Sequence, residues 1–153
     1  MKILVSACLL GINCKYDGGN NLSEWLIRLA EQHELIPVCP ETLGGLKAPR
    51  SPCEIVNGVV MNRDGECVDS AFRTGAEAAL RIAMEQSVGC AILQSRSPSC
   101  GVNEIYDGTF TGKRIKGQGV FAFLLAQNGF PVFDVADAME KIRLITPDES
   151  DSQ

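Results

Sequence analysis

"KILVSACLLG", residues 2–11, is the stretch on which the fold turns. Residues 2–7 form an apolar run of strand length, as expected for a strand covered on both faces. A cysteine and then a glycine follow, so the chain leaves this strand through a tight turn that carries a thiol. The same rhythm recurs along the chain. "ELIPVC" (34–39), "GCAILQS" (89–95) and "FPVFDV" (130–135) read as further buried strands. "EWLIRLAEQH" (24–33) reads as a helix capped by Ser23, with Trp25, Leu26, Leu29 and Ala30 on one face. "SAFRTGAEAALRIAMEQ" (70–86), "GQGVFAFLLAQNG" (117–129, closed by Gly129) and "ADAMEKIRLI" (136–145) read as helices too. "EIVNGVVMN" (54–62) predicts a hairpin turning at Asn57-Gly58. The run from Pro40 to Pro52 predicts a loop.

Strand and helix therefore alternate. This predicts an α/β fold: a three-layer α/β/α sandwich around a mostly parallel, Rossmann-like sheet of about four to five strands. No repeat or linker interrupts it, so one domain over residues 1–147 is expected, followed by an acidic tail at 148–153.

Bulk properties narrow the function. The net charge of −5 argues against a protein that grips the phosphate backbone of nucleic acid. No apolar run has the length of a membrane span, and the first residues lack the basic start and cleavage site of a signal peptide. A cytoplasmic protein without membrane contact is expected. Thiols stay reduced there, so the seven cysteines do not read as a disulfide framework, and their odd number agrees. The sequence carries no signal for oligomeric state.

In parallel α/β sheets, ligands bind beyond the carboxyl ends of the strands. Cys8 ends the first strand and Cys39 the second, while Cys100 lies in the loop "SRSPSCG" (95–101) after the third. These three thiols are predicted to converge on one edge. Cys14 is in the first loop, within reach of that edge. For Cys14, Cys53, Cys67 and Cys90 a structural role is expected, since free cysteine packs as a small apolar residue. A zinc site is disfavoured: there is no C-x-x-C pair, and the one histidine, His33, falls on the opposite edge as a surface residue. A phosphatase loop needs an arginine six residues after its cysteine, and that position holds Cys14. Three thiolates can hold a [4Fe–4S] cluster and leave one iron open to substrate. Three loop thiols with no joint purpose is the competing reading, and the residues alone leave both open.

"SACLLG" (6–11), "YDGG" (16–19), "CPETLGGLKAPR" (39–50) and "SPSCG" (97–101), in this order and spacing, resemble the 2-thiouracil desulfidase (TudS-like) family, long described as a domain of unknown function. The resemblance runs from residue 3 to about residue 134. It implies a three-layer α/β domain with a [4Fe–4S] cluster on Cys8, Cys39 and Cys100. It also implies non-redox removal of sulfur from a thiolated pyrimidine, giving uracil and hydrogen sulfide, with a small thiolated heterocycle as the partner. The other four cysteines lie outside the matching positions, although Cys53, close to "APR", is placed where it could become a fourth ligand.

On this reading Glu41, two residues past Cys39, is the general base that takes a proton from attacking water. Ser97 and Ser99 orient that base or bond to the cluster, and Ser6 does the same beside Cys8. Asp17 either binds a substrate N–H or makes an Asx turn. Arg50 donates to the substrate oxygen or offsets the cluster's charge. "GQG" (117–119) is expected to serve packing or a tight turn, with anion binding at free helix amides as the alternative. Lys113, Arg114 and Lys116 form a basic cluster that is either solvated or attracts a phosphorylated substrate. The alternative function is an iron–sulfur-cluster or sulfur-binding protein without hydrolytic activity.

Overall fold

The computed structural model describes residues 1–145, so the acidic tail expected at 148–153 lies outside the described residues. Strand β1 (Lys2–Ser6) leads through a 3-10 turn (Ala7–Leu10) to helix α1 (Glu24–Leu29) and strand β2 (Glu34–Val38). Next come helix α2 (Pro40–Leu43), the hairpin β3 (Cys53–Val56) and β4 (Val59–Asn62), helix α3 (Asp69–Gln86) and strand β5 (Cys90–Leu93). A second hairpin, β6 (Glu104–Tyr106) and β7 (Arg114–Lys116), precedes helix α4 (Val120–Gln127), strand β8 (Val132–Asp134) and helix α5 (Val135–Ile145).

The central sheet has the order β2-β1-β5-β8, and every neighbouring pair is parallel. Alternation along its strands builds the layers. Leu4, Ala91 and Leu93 pack on one face against Phe72 and Ala76 of α3 and Phe121 and Leu125 of α4. Ile3, Val5, Cys90 and Ile92 pack on the other against Leu26 of α1 and Ala138 and Ile142 of α5. Burial on both faces explains the apolar runs of β1 and β5. Strand β2 lies at the sheet's edge, where Pro37 is tolerated because its missing N–H breaks no ladder.

The first hairpin turns where the sequence places it. Asn57 and Gly58 have φ of 50° and 80°, the left-handed pair of a type I′ turn. Several boundaries differ. Helix α1 stops at Leu29, because the amides of Gln32 and His33 fold back onto the Leu29 carbonyl. The expected loop after Pro40 begins with α2, which has Pro40 at its first turn. That helix exists by contact: a Cβ on Gly75 of α3 would collide with the Pro40 carbonyl, and one on Gly44 with the Ala71 carbonyl. Helix α4 starts at Val120, not at residue 117, and the β6–β7 hairpin was not expected at all. Among the described residues no helix is long and apolar enough to cross a membrane.

Candidate active site

From β1 the chain first adds β2 on one side and later β5 on the other, so the sheet's order reverses between β1 and β5. Loops leaving the carboxyl ends of these two strands part there and open a crevice. A cavity of about 470 Å³ occupies it, bordered by Cys8, Cys39 and Cys100 together.

Each thiol is set by local chemistry. Cys8 sits in the 3-10 turn, which Gly11 closes at φ 89°. Cys39 precedes Pro40 at the start of α2, and is therefore fixed by the glycine contacts between α2 and α3. Cys100 lies in a turn built by Ser97, whose Oγ accepts from the amides of Ser99 and Cys100, both at 3.0 Å. The carbonyls of Pro98 and Ser99 in turn accept the first amides of α4, from Val120, Phe121 and Ala122. Those amides are thus already used, and Gly119 lets the turn pack against the helix start. The "GQG" stretch serves packing.

The sulfurs are buried among polar donors. Asn21 Nδ2 donates to Cys8 Sγ at 3.7 Å, and Thr42 Oγ1 to Cys39 Sγ at 3.2 Å. Ser99 Oγ stands 3.7 Å from Cys100 Sγ, and Ser6 also bonds to that thiol. Cys14 is buried between two of them: its thiol bonds to those of both Cys8 and Cys39. The bond from Cys14 holds the Cys8 thiol below the ordinary thiol value, whereas its bond to Cys39, with burial, pushes Cys39 far up. Burial pushes Cys100 up to about 12. A thiol so placed ionises only when a metal compensates the charge.

The donor set fits an iron–sulfur cluster. Among the described residues, no three Cys, His, Asp or Glu side chains gather closely enough to hold a metal ion; the three thiols instead border a shared cavity. Thiolate is the ligand such clusters take. Arg50 borders the same cavity, and its Nε is buried with no hydrogen-bond partner among the described residues.

Glu41 is the hub of the site. Its Oε1 accepts from Arg50 at 3.1 Å and its Oε2 from Ser99 Oγ at 2.9 Å. Ser99 gives its one proton to Glu41, so Ser97, 2.8 Å away, is the donor to Ser99. Arg50 also donates to the carbonyls of Cys14 (3.1 Å) and Lys47 (3.2 Å). This network joins the segments that carry Cys14, Cys39 and Cys100.

The other expected residues divide. Ser6 borders the cavity, with its Oγ accepting from the Gln94 amide at 3.0 Å. Asp17 is exposed and does not border it; its Oδ1 accepts from the Gly19 amide at 2.9 Å in an Asx turn. Cys53 borders the cavity and half-packs into the core. Cys90 is core, as expected, but Cys67 is exposed. His33 lies at the amino edge of the sheet, partly exposed at the surface as expected, against the Met1 amino group. Lys113, Arg114 and Lys116 are exposed and do not border the cavity, whereas Arg63 and Arg96 do. Sequence reasoning also missed Cys14, Asn21 and Thr42 as partners of the thiols. For Cys14 a signal was available: it directly precedes the stretch "KYDGG", just past the Gly11 turn.

Known proteins resemble this chain along most of its length. The 2-thiouracil desulfurase family matches residues 3–137. The uncharacterised protein YbbK of Bacillus subtilis (strain 168) is 41% identical over 140 residues, which cover 85% of this chain and 93% of YbbK. A solved structure titled as the [4Fe-4S]-dependent thiouracil desulfidase TudS superposes with a TM-score of 0.89. It is 38% identical, and the match covers 94% of this chain and 97% of that one.

Proposed function

Because this chain belongs to the 2-thiouracil desulfurase family, we propose that it removes sulfur from a thiolated pyrimidine without net redox change, releasing uracil and hydrogen sulfide. Cys8, Cys39 and Cys100 would hold a [4Fe–4S] cluster with one iron open. One observation carries the reading. A carboxylate, Glu41, is bonded at 2.9 Å to a hydroxyl that touches the sulfur of Cys100, so a proton acceptor stands beside the metal-binding face.

When bound, the cluster supplies a thiophilic Lewis acid that draws electrons from the thiocarbonyl and makes the ring carbon electrophilic. The chain's own residues do the rest. Glu41 Oε2 takes the proton from water as the new C–O bond forms. Ser99 holds Glu41 in place and passes the proton when water binds at its hydroxyl. Ser97 keeps Ser99 turned toward the carboxylate. Arg50 fixes the other carboxylate oxygen, and its positive charge offsets that of the loaded cluster. As the carbonyl re-forms, its hydroxyl proton passes through the Ser99 hydroxyl to the departing sulfur, the C–S bond breaks, sulfur leaves with the bonding pair, and Glu41 returns the first proton, so that both protons of water leave with hydrogen sulfide.

Arg63 and Arg96 at the cavity favour a phosphorylated form of the substrate over the bare base, since neither makes an ion pair among the described residues.

Anaerobic reconstitution with iron and sulfide, followed by incubation with 2-thiouracil and its nucleotide, tests the reading. Stoichiometric uracil and sulfide are expected. A loaded protein that releases sulfide from neither substrate overturns it in favour of cluster or sulfur storage.

A further inference from the structure

The second hairpin and its connection bring Tyr106, Phe110 and Gly112 to the cavity's border, and there the fold does something costly. Phe110, in the β6–β7 connection, borders the cavity with its backbone at φ 58°, a left-handed conformation that phenylalanine rarely adopts. A buried carboxylate keeps it there. Glu54 of β3 is 9% exposed, and its Oε1 accepts from the amides of Gly108 at 3.0 Å and Phe110 at 3.1 Å. Among the described residues Glu54 makes no ion pair, so its charge is held by these backbone donors. Gly108, at φ 91°, lies against the Ile55 carbonyl; a Cβ there would come within 2.6 Å of that oxygen. The loop is thus pinned to β3 at two adjacent points. A buried charge and a strained residue are what a fold tolerates when the side chain so placed has work to do.

We propose that Phe110 is a specificity-determining contact, the apolar platform on which the flat face of the thiolated heterocycle packs. Glu54 is the positioning residue that aims it. The inference rests on the function proposed above. Its chemistry is simple. Thiols, serines, carboxylates and guanidinium groups border the same cavity and address the edge and exocyclic atoms of a heterocycle. Tyr16, Tyr106 and Phe110 are the aromatic side chains at its border, and of these Phe110 alone is set by a left-handed backbone. A ring carried on a backbone pinned at these two amides loses less entropy when a planar ligand stacks on it than one on a free loop.

The test uses the cluster-loaded protein. Phe110→Leu is expected to raise KM for the thiolated pyrimidine about tenfold while leaving kcat and the cluster's visible spectrum in place. Phe110→Tyr is expected to restore KM. Uracil binding by titration calorimetry, which needs no turnover, is expected to weaken in parallel. Glu54→Ala is expected to reproduce the KM rise, and Glu54→Gln, which keeps an acceptor oxygen, to spare it. The double variant Phe110→Leu/Glu54→Ala is expected to be no worse than either single change. Unchanged KM and uracil affinity in Phe110→Leu, in an active protein, overturn the platform and leave the desulfidase reading standing. A wild type that neither releases sulfide nor binds uracil overturns both.

Discussion

Ser99 Oγ lies 2.9 Å from Glu41 Oε2, across 58 residues of sequence. This bond joins the helix that follows Cys39 to the turn that presents Cys100. On the proposed function the two side chains act as one proton-handling unit. Glu41→Gln keeps the shape but cannot take a proton, and is expected to lower kcat by about 10²–10⁴-fold with the cluster spectrum unchanged. Ser99→Ala is expected to cost about 10–100-fold. Because the pair acts together, the double variant should fall close to Glu41→Gln alone. Single-turnover sulfide release is the measurement.

Arg50 binds three acceptors: Glu41 Oε1 and the carbonyls of Cys14 and Lys47. Its side chain and that of Glu41 are 11% and 15% exposed, so little water is at hand to replace the lost partner. Arg50→Ala is expected to destabilise the fold by about 2–3 kcal/mol and to lower activity. Arg50→Lys restores charge without the planar fork, and should recover stability more than turnover. Thermal melts beside steady-state rates separate the two effects.

The same two regions show what could be read in advance. The hairpin at Asn57-Gly58 was legible because its turn demands left-handed residues that the sequence supplies locally. That Cys8, Cys39 and Cys100 border one cavity was legible because all three lie beyond the carboxyl ends of adjacent strands. Helix α2 was not: four residues form no periodic pattern, and this helix forms because Gly44 and Gly75 let backbones touch. Nor was β6–β7, whose strands have three residues each and whose hold on β3 comes from a glutamate 54 residues upstream of Gly108. Cys14 looked like packing because burial alone does not distinguish a core thiol from one that touches two others.

Gly75 offers a direct check on α2. Replacing a mid-helix glycine by alanine normally stabilises by about 1 kcal/mol. Here the new methyl would collide with the Pro40 carbonyl, so the sign should reverse, with a loss of about 3 kcal/mol. Since α2 carries Glu41 and follows Cys39, Gly75→Ala is also expected to retain less iron after reconstitution. Denaturant melts and iron assays read the two consequences.

Cys90 is fully buried in β5, and burial pushes its thiol up from 9.0 to about 11. A folded state that holds its proton longer than the unfolded chain has this stability in full below pH 9 and loses it as pH rises toward 11. The loss from this one thiol is about 2–3 kcal/mol. Urea melts of the metal-free protein across that range should move to lower midpoints accordingly. Cys90→Ala should start lower, from the small cavity, and fall less.

The final prediction concerns charge at the cavity. The protein carries a net charge of −5, so its overall field repels a phosphate. Arg63 and Arg96 border the site nonetheless, and among the described residues no carboxylate neutralises either. The β7 cations do not compete for the role: they lie off the cavity, and Arg114 faces Glu104 at 3.8 Å. A phosphate reaching both guanidinium groups gains charge-assisted bonds that a bare base cannot make. The nucleotide is therefore expected to exceed 2-thiouracil in kcat/KM by about tenfold or more. Because the contact is partly exposed, the advantage should shrink as salt rises through about 0.1–0.5 M. Arg63→Gln/Arg96→Gln should abolish the preference while leaving turnover of the base unchanged. Equal kcat/KM for both substrates at low salt in the wild type would show that these arginines recognise no phosphate.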